Sequence, residues 1–144
     1  MSPTTETVVV VDTMVVGWLI NHDPRDLKDT YRALIGDASI VLALQTLGEM
    51  RAGTLESNWG EFRTRRLQRA LADFEIARPD EATADAYARL RADCRRIGHG
   101  LHDKKHDGDR WIAATAVRLG VPLVSHDRIF LNVPGLRIIT AHSH

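Results

Sequence analysis

The first patterned stretch of the chain is Val8-Val9-Val10-Val11, a continuous β-branched run. An unbroken apolar run predicts a strand buried on both faces, as in a parallel sheet. It ends at Asp12-Thr13, and apolar and small residues then continue to Ile20. Asp23-Pro24 supplies an N-cap and first helical position for a helix carrying Leu27, Tyr31, Leu34 and Ile35, with Gly36 as its stop. Ser39 to Leu44 reads as a second strand, followed by a helical segment from Gln45 to Arg51 that contains Glu49. Between Trp59 and Asp73, Leu67, Ala70, Leu71 and Phe74 fall at i, i+3, i+4 and i+7, one helical face, with Arg65, Arg66 and Arg69 pointing the other way.

Phe74 to Arg78 includes a short strand, and Pro79-Asp80-Glu81 opens a helix bearing Tyr87, Leu90, Cys94 and Ile97 at helical spacing. Gly98 to Gly108, rich in Gly, His and Lys, reads as a loop. Asp109 is placed to cap a helix with Ile112, Thr115, Ala116 and Leu119 on one face, ended by Gly120. Val121 to Ser125 is a further strand with His126-Asp127 just past it, and Leu136 to Ile139 a last short one. Strands alternate with helices throughout, which predicts an α/β domain with a mostly parallel central sheet of four to five strands. In such sheets chemistry sits at the carboxyl ends of the strands, where Asp12 and Asp127 fall.

With 144 residues the chain is expected to be one domain over 1–144. A hydrophobic fraction of 44% and a charged fraction of 26% exclude a disordered polar chain. No apolar run approaches the roughly 20 residues of a membrane span. Lys+Arg and Asp+Glu are both 19, so a uniformly basic nucleic-acid coat is excluded, whereas a local basic patch beside a local acidic site is not. The lone Cys94 forms no intramolecular disulfide and no secretory leader is visible, so a cytoplasmic protein is expected.

Asp12, Glu49, Asp109 and Asp127 come from distant segments, and each begins or follows an element at the same expected edge of the sheet. No Lys or Arg adjoins Asp12 in sequence, so a local ion pair does not explain a carboxylate in that apolar run. Gathered carboxylates repel unless a divalent cation makes their convergence favourable. An all-oxygen set selects hard ions, Mg²⁺ or Mn²⁺, over zinc. Taken singly, each acid reads as a helix cap or surface charge; the joint placement carries the argument.

The opening VVVDT, Glu49 within TLGEMRAG, the segment DRWIAATAVRLGVPLVSHD and the RIF after it resemble a PIN domain of the VapC toxin type, from Val8 to about Ile139. The most specific part runs from Asp109 to Phe130. The resemblance implies a PIN-like three-layer fold and four acidic positions, Asp12, Glu49, Asp109 and Asp127, that gather Mg²⁺ or Mn²⁺ to hydrolyse RNA phosphodiester bonds. It implies supporting hydroxyls at Thr13 and Ser125, a homodimer, and a small antitoxin presenting a basic or aromatic segment to the acidic site. Members often carry Asn just before the third acid, where this chain has Gly108 preceded by Asp107; Asp109 keeps the spacing to IAATA and is preferred as the third ligand, with Asp107 as a supporting candidate.

Other clusters have plainer explanations. His99, His102 and His106 with Cys94 make a poor zinc pattern, and the Lys104-Lys105 segment between them reads as a loop near the substrate entrance that touches phosphate. Arg63, Arg65, Arg66 and Arg69, and Arg89, Arg91, Arg95 and Arg96, form basic helix segments; solvated faces are the bland explanation, and an RNA track, with Arg65 and Arg69 as contacts, the functional one. Trp18, Trp59 and Trp111 are expected as packing anchors. An aspartyl phosphatase would need a second Asp where Met14 stands, and a PIN-like RNA-binding or scaffold module without catalysis would be marked by a missing acid, yet all four positions are filled.

Overall fold

The computed structural model describes residues 2–21 and 26–143. β1 (Val8–Val11) lies at the centre of a five-stranded, wholly parallel sheet ordered β3-β2-β1-β4-β5, with β2 at Ser39–Ala43, β3 at Glu75–Ala77, β4 at Leu123–Val124 and β5 at Ile138–Ile139. Val10 pairs with Val41 on one side and Leu123 on the other. Six α-helices occur among the described residues: α1 (Thr13–Ile20), α2 (Leu27–Ile35), α3 (Leu44–Glu56), α4 (Glu61–Ala72), α5 (Glu81–Ile97) and α6 (Asp107–Leu119).

The valine run is buried on both faces, as its pattern predicts. Val9 and Val11 enter one core with Val15, Val16, Leu19, Tyr31, Leu34, Leu67 and Leu71, from α1, α2 and α4. Val10 enters the other with Leu90, Cys94, Ile112, Ala113 and Ala116, from α5 and α6. The result is three layers, helices on both sides of the sheet. The small side chains Ala113, Ala114 and Ala116 on α6 are fully buried, which lets that helix lie close to the sheet and to α5.

Local signals set most element ends. Asp80 caps α5, its Oδ1 accepting from Thr83 N at 2.9 Å while Asp80 N donates to Thr83 Oγ1 at 3.1 Å, a reciprocal capping box. Gly98 (φ 75°) and Gly120 (φ 69°) close α5 and α6 in the left-handed conformation that disfavours a Cβ. Several expectations need correction. Residues 13–20, unassigned from pattern, form α1, because Asp12 caps it through Thr13 N and Val15, Val16 and Leu19 bury one face. The expected Asp23-Pro24 helix start lies outside the described residues, and α2 runs from Leu27 to Ile35 with Gly36 at its C-cap. The strand expected over Val121–Ser125 keeps ladder pairing only at Leu123–Val124.

The segment expected as a loop from Gly98 is instead two single-turn 3-10 helices, Gly100–His102 and Lys104–His106, and Asp107 already belongs to α6. His106 occupies the N-cap, so Asp109 lies inside the first helical turn and does not cap it. The physical reason is Arg110. Its side chain is buried (2% exposed), and Nη1 donates to the carbonyls of Leu101 at 2.7 Å and Asp103 at 2.6 Å, while Nη2 reaches Tyr87 Oη at 3.2 Å and Asp107 Oδ1 at 3.3 Å. A guanidinium satisfying carbonyls of the turns folds the polar segment onto the start of α6. His99 is tied down as well, Nδ1 accepting from Leu101 N at 3.0 Å and Nε2 facing Leu131 O at 2.7 Å, which occupies both ring nitrogens and leaves none for zinc.

Arg110→Ala leaves the Leu101 and Asp103 carbonyls without their buried donor and opens a void. We expect it to destabilise the fold by about 3 kcal/mol, read as a lower urea midpoint; a midpoint equal to the parent's would show that Arg110 does not fasten this segment.

Candidate active site

The chain runs from β1 outward through β2 to β3, then crosses back to place β4 on the opposite side of β1. Strand order therefore reverses between β1 and β4, and crevices at such switch points lie beyond the carboxyl ends of the strands. Asp12 follows β1 and Ser125 to Asp127 follow β4 at this place. Asp12 N donates to Val124 O at 2.9 Å, which fixes the two strand ends side by side.

Asp12 is the most constrained acid. It is 6% exposed; Oδ1 accepts from Thr13 N at 2.8 Å and Oδ2 from Ser125 Oγ at 2.7 Å. Burial pushes its pKa up to about 6, the Ser125 and Thr13 hydrogen bonds pull it down, and repulsion from Asp109 and Asp127 adds to the rise. No lysine or arginine pairs with it among the described residues. Ser125, fully buried, also accepts from Asp127 N at 3.0 Å, and so links the first and fourth acids. Asp127 Oδ1 in turn accepts from Ile129 N at 3.0 Å, capping the 3-10 turn Arg128–Phe130.

Glu49 comes from α3, on the β2 side. Thr13 Oγ1 donates to Glu49 Oε1 at 2.7 Å and lies 3.1 Å from the buried Thr46 hydroxyl, and Gln45 Nε2 donates to Glu49 Oε2 at 2.9 Å. Asp109 reaches the cluster from α6 and its Oδ2 is 2.7 Å from His106 Nδ1. Burial raises the Asp109 pKa, the His106 contact opposes the rise, and Asp127 and Glu49 reinforce it by repulsion. The acids thus feel one another: Asp12 is repelled by Asp109 and Asp127, and Asp109 by Asp127 and Glu49.

Asp107 is turned elsewhere. Its side chain is 59% exposed, accepts from Tyr87 Oη and faces Arg110 Nη2. Lys104 and Lys105 are exposed on the turn before α6. Arg65 and Arg69 lie on the exposed face of α4, where Arg65 pairs with Glu61 of the same helix. Trp111 stacks on Tyr87 with ring centroids 4.1 Å apart, and the Arg63 guanidinium lies 3.7 Å from the Trp59 ring centroid. An open apolar groove of about 540 Å³ adjoins Glu49, lined by Leu44, Gly48, Ala52, Pro79, Thr83, Trp111 and Thr115. Sequence reasoning missed Gln45, Thr46 and the pairing of His106 with Asp109. The available signal was spacing: Gln45 and Thr46 precede Glu49 by four and three residues, on one face of a helix.

Among the described residues, no three His, Cys, Asp or Glu side chains are drawn in tightly enough to enclose an ion as they stand. The donor set nevertheless fits a hard divalent cation, because it is all carboxylate and hydroxyl oxygen, and because Asp12 is buried among like charges with only neutral donors to hold it.

A PIN domain family model matches residues 9–136. The ribonuclease VapC5 of Mycobacterium tuberculosis is 31% identical over 134 residues, 92% of each chain, and the ribonuclease VapC4 of the same organism is 33% identical over 105 residues, 69% of this chain and 75% of that one. The solved VapBC-5 toxin-antitoxin structure of Mycobacterium tuberculosis superposes with a TM-score of 0.71 at 28% identity, covering 94% of this chain and 99% of that one. VapBC2 of Rickettsia felis, solved with a promoter DNA fragment, superposes with a TM-score of 0.76 at 21% identity over 92% and 98% of the two chains, which supports the fold. The site at the β1/β4 switch point is of a kind built from acids on separate elements, and the chain belongs to the PIN domain family. Its relatives within that family are VapC-type proteins.

The raised Asp12 pKa has a stability consequence. The folded protein holds this proton more tightly than the unfolded chain, so the contribution of Asp12 falls as pH rises from about 4 to about 6, and a penalty on the order of 3 kcal/mol is fully present above that window. Asp12→Asn removes the charge and keeps the shape. With divalent ions chelated, it is expected to be more stable than the parent at pH 7 and to lose that advantage near pH 4, by urea unfolding at both. An Asn variant that is less stable at pH 7 would contradict the assignment.

Proposed function

We propose that this protein is a divalent-metal-dependent endoribonuclease, the toxin of a toxin-antitoxin pair, hydrolysing RNA phosphodiester bonds at Asp12, Glu49, Asp109 and Asp127. The observation that carries the reading is Asp12: a buried carboxylate repelled by two further acids at the end of the central strand, held by neutral donors and paired with no lysine or arginine among the described residues. The curated relatives named ribonucleases support the activity, and the four carboxylates support Mg²⁺ or Mn²⁺.

When bound, the ion supplies an activated water and stabilises charge developing on the phosphoryl oxygens. This chain's residues do the rest. Asp12, Asp109, Asp127 and Glu49 would hold the ion. Ser125 fixes Asp12 and the Asp127 backbone together, and Thr13 aims Glu49 across from α1. His106 orients Asp109 from the turn before α6, and the neighbouring Lys104 and Lys105 meet the RNA backbone beside the acids. Asp109 serves as the third acid in preference to Asp107, which Tyr87 and Arg110 engage.

The partners in this reading are RNA, a cognate antitoxin and a second copy of the chain. The relatives named ribonucleases support the first, and the VapBC complexes support the second. The groove beside Glu49, with Leu44 on its rim at 39% exposure, offers apolar surface to the second copy. No helix among the described residues is long and apolar enough to cross a membrane, and we place the protein in the cytoplasm.

Cleavage of total RNA with Mg²⁺ or Mn²⁺ should fall by orders of magnitude in Asp12→Asn and Asp109→Asn, each shown to be folded by circular dichroism, while Asp107→Asn loses little. A folded, fully active Asp12→Asn enzyme would sink the proposal; a dead Asp107→Asn beside an active Asp109→Asn would reassign the third acid. Light scattering at tens of micromolar should report a dimer, and a monomer there would remove the self-pairing claim.

A further inference from the structure

Gly108 lies in the first turn of α6, facing α3. A Cβ built on it would stand 2.8 Å from Gln45 Nε2, closer than unbonded atoms approach, and 3.1 Å from Glu49 Oε2, a tight contact. Its φ is outside the positive region, so backbone conformation does not call for a glycine; space does. That space holds the Gln45 amide, which donates to Glu49 Oε2 at 2.9 Å from one turn earlier on α3. With Thr13 on Oε1 at 2.7 Å, the Glu49 carboxylate is gripped at both oxygens, and each oxygen keeps a lone pair for another partner.

We propose that Gln45 is a positioning residue for Glu49, and that Gly108 is small so that the Gln45 amide can stand between α3 and α6. The proposal rests on the metal-dependent reading above. Glu49 is on an exposed helix face, where a glutamate otherwise samples several rotamers, and each rotamer away from the acidic cluster costs affinity for a divalent ion. The chemistry of the side chain matters. A lysine at this place would orient Glu49 but cancel the charge that draws the cation, a carboxylate would repel it, and an alkyl chain would not hold it. An uncharged donor holds the carboxylate and leaves its charge intact.

The test is calorimetric titration of Mn²⁺ into the metal-free parent, Gln45→Leu, Gly108→Ala, their combination, and Gln45→Ala with and without Gly108→Asn. Gln45→Leu should weaken Mn²⁺ binding about tenfold. Gly108→Ala displaces the far end of a flexible side chain and not backbone, so it should weaken binding comparably while the melting temperature stays where it was. The combined variant should be no worse than the weaker single one, because both remove the same hydrogen bond. Gly108→Asn added to Gln45→Ala returns an amide to the same space from the facing helix and should recover most of the affinity. A Gln45→Leu protein that binds Mn²⁺ like the parent, losses that multiply in the combination, or no recovery with Asn would overturn the positioning role while the metal reading stands. A folded parent that binds no Mn²⁺ would overturn the metal reading itself, and this proposal with it.

Discussion

Asp12 is carried to the protein interior by a strand that cannot shift: Val9 to Val11 are fully buried between two cores and paired on both sides. Burial makes the ionised form costly, and Asp109 and Asp127 add to that cost. Much of the architecture around the strand ends can be understood as support for this one unfavourable group. The β1/β4 switch point creates the crevice, α1 begins at Asp12 so that its first amide meets the carboxylate, and Ser125 closes over the other oxygen.

Three of the donors around the acids share a feature. Ser125, Thr13 and Gln45 are all uncharged, and each fixes a carboxylate oxygen without neutralising it. The buried guanidinium nearby, Arg110, is spent on backbone carbonyls and on Asp107, the acid that faces away. Arginine support therefore goes to the scaffold of α6, while Asp12 and Glu49 are held by neutral groups and Asp109 by His106. Such an arrangement suits a site whose acids must attract a cation and still sit in fixed directions.

The same separation explains the segment before α6. Its composition is that of a solvated loop, yet Arg110 and His99 use its carbonyls and ring nitrogens so fully that it folds into consecutive single turns. Those turns set His106 against Asp109 and leave Lys104 and Lys105 exposed. A polar stretch that packs little apolar area is held here by directed hydrogen bonds, which fix angle as well as distance.

What the sequence determined by itself were the features with a local cause. The unbroken valine run required a strand covered on both faces, the Asp80-Thr83 spacing marked the start of α5, Gly98 and Gly120 marked helix ends, and the strand pattern put Asp12 and Asp127 beyond the carboxyl ends of β1 and β4. Short-range sterics and backbone hydrogen bonding act over a few residues, so such signals are written in adjacent letters. The N-cap of α6 falls three residues before the expected Asp109, and α1 carries no pattern of its own, because both depend on contacts beyond a single helical turn: Arg110 reaching back to Leu101 and Asp103, and valines meeting a core built by α2 and α4. Tertiary structure alone decided that Tyr87 and Arg110 engage Asp107, that His106 meets Asp109, and that Gln45 stands where Gly108 has no side chain. Those are facts of distance between elements, and distance across a sheet is set by packing, which no single segment encodes.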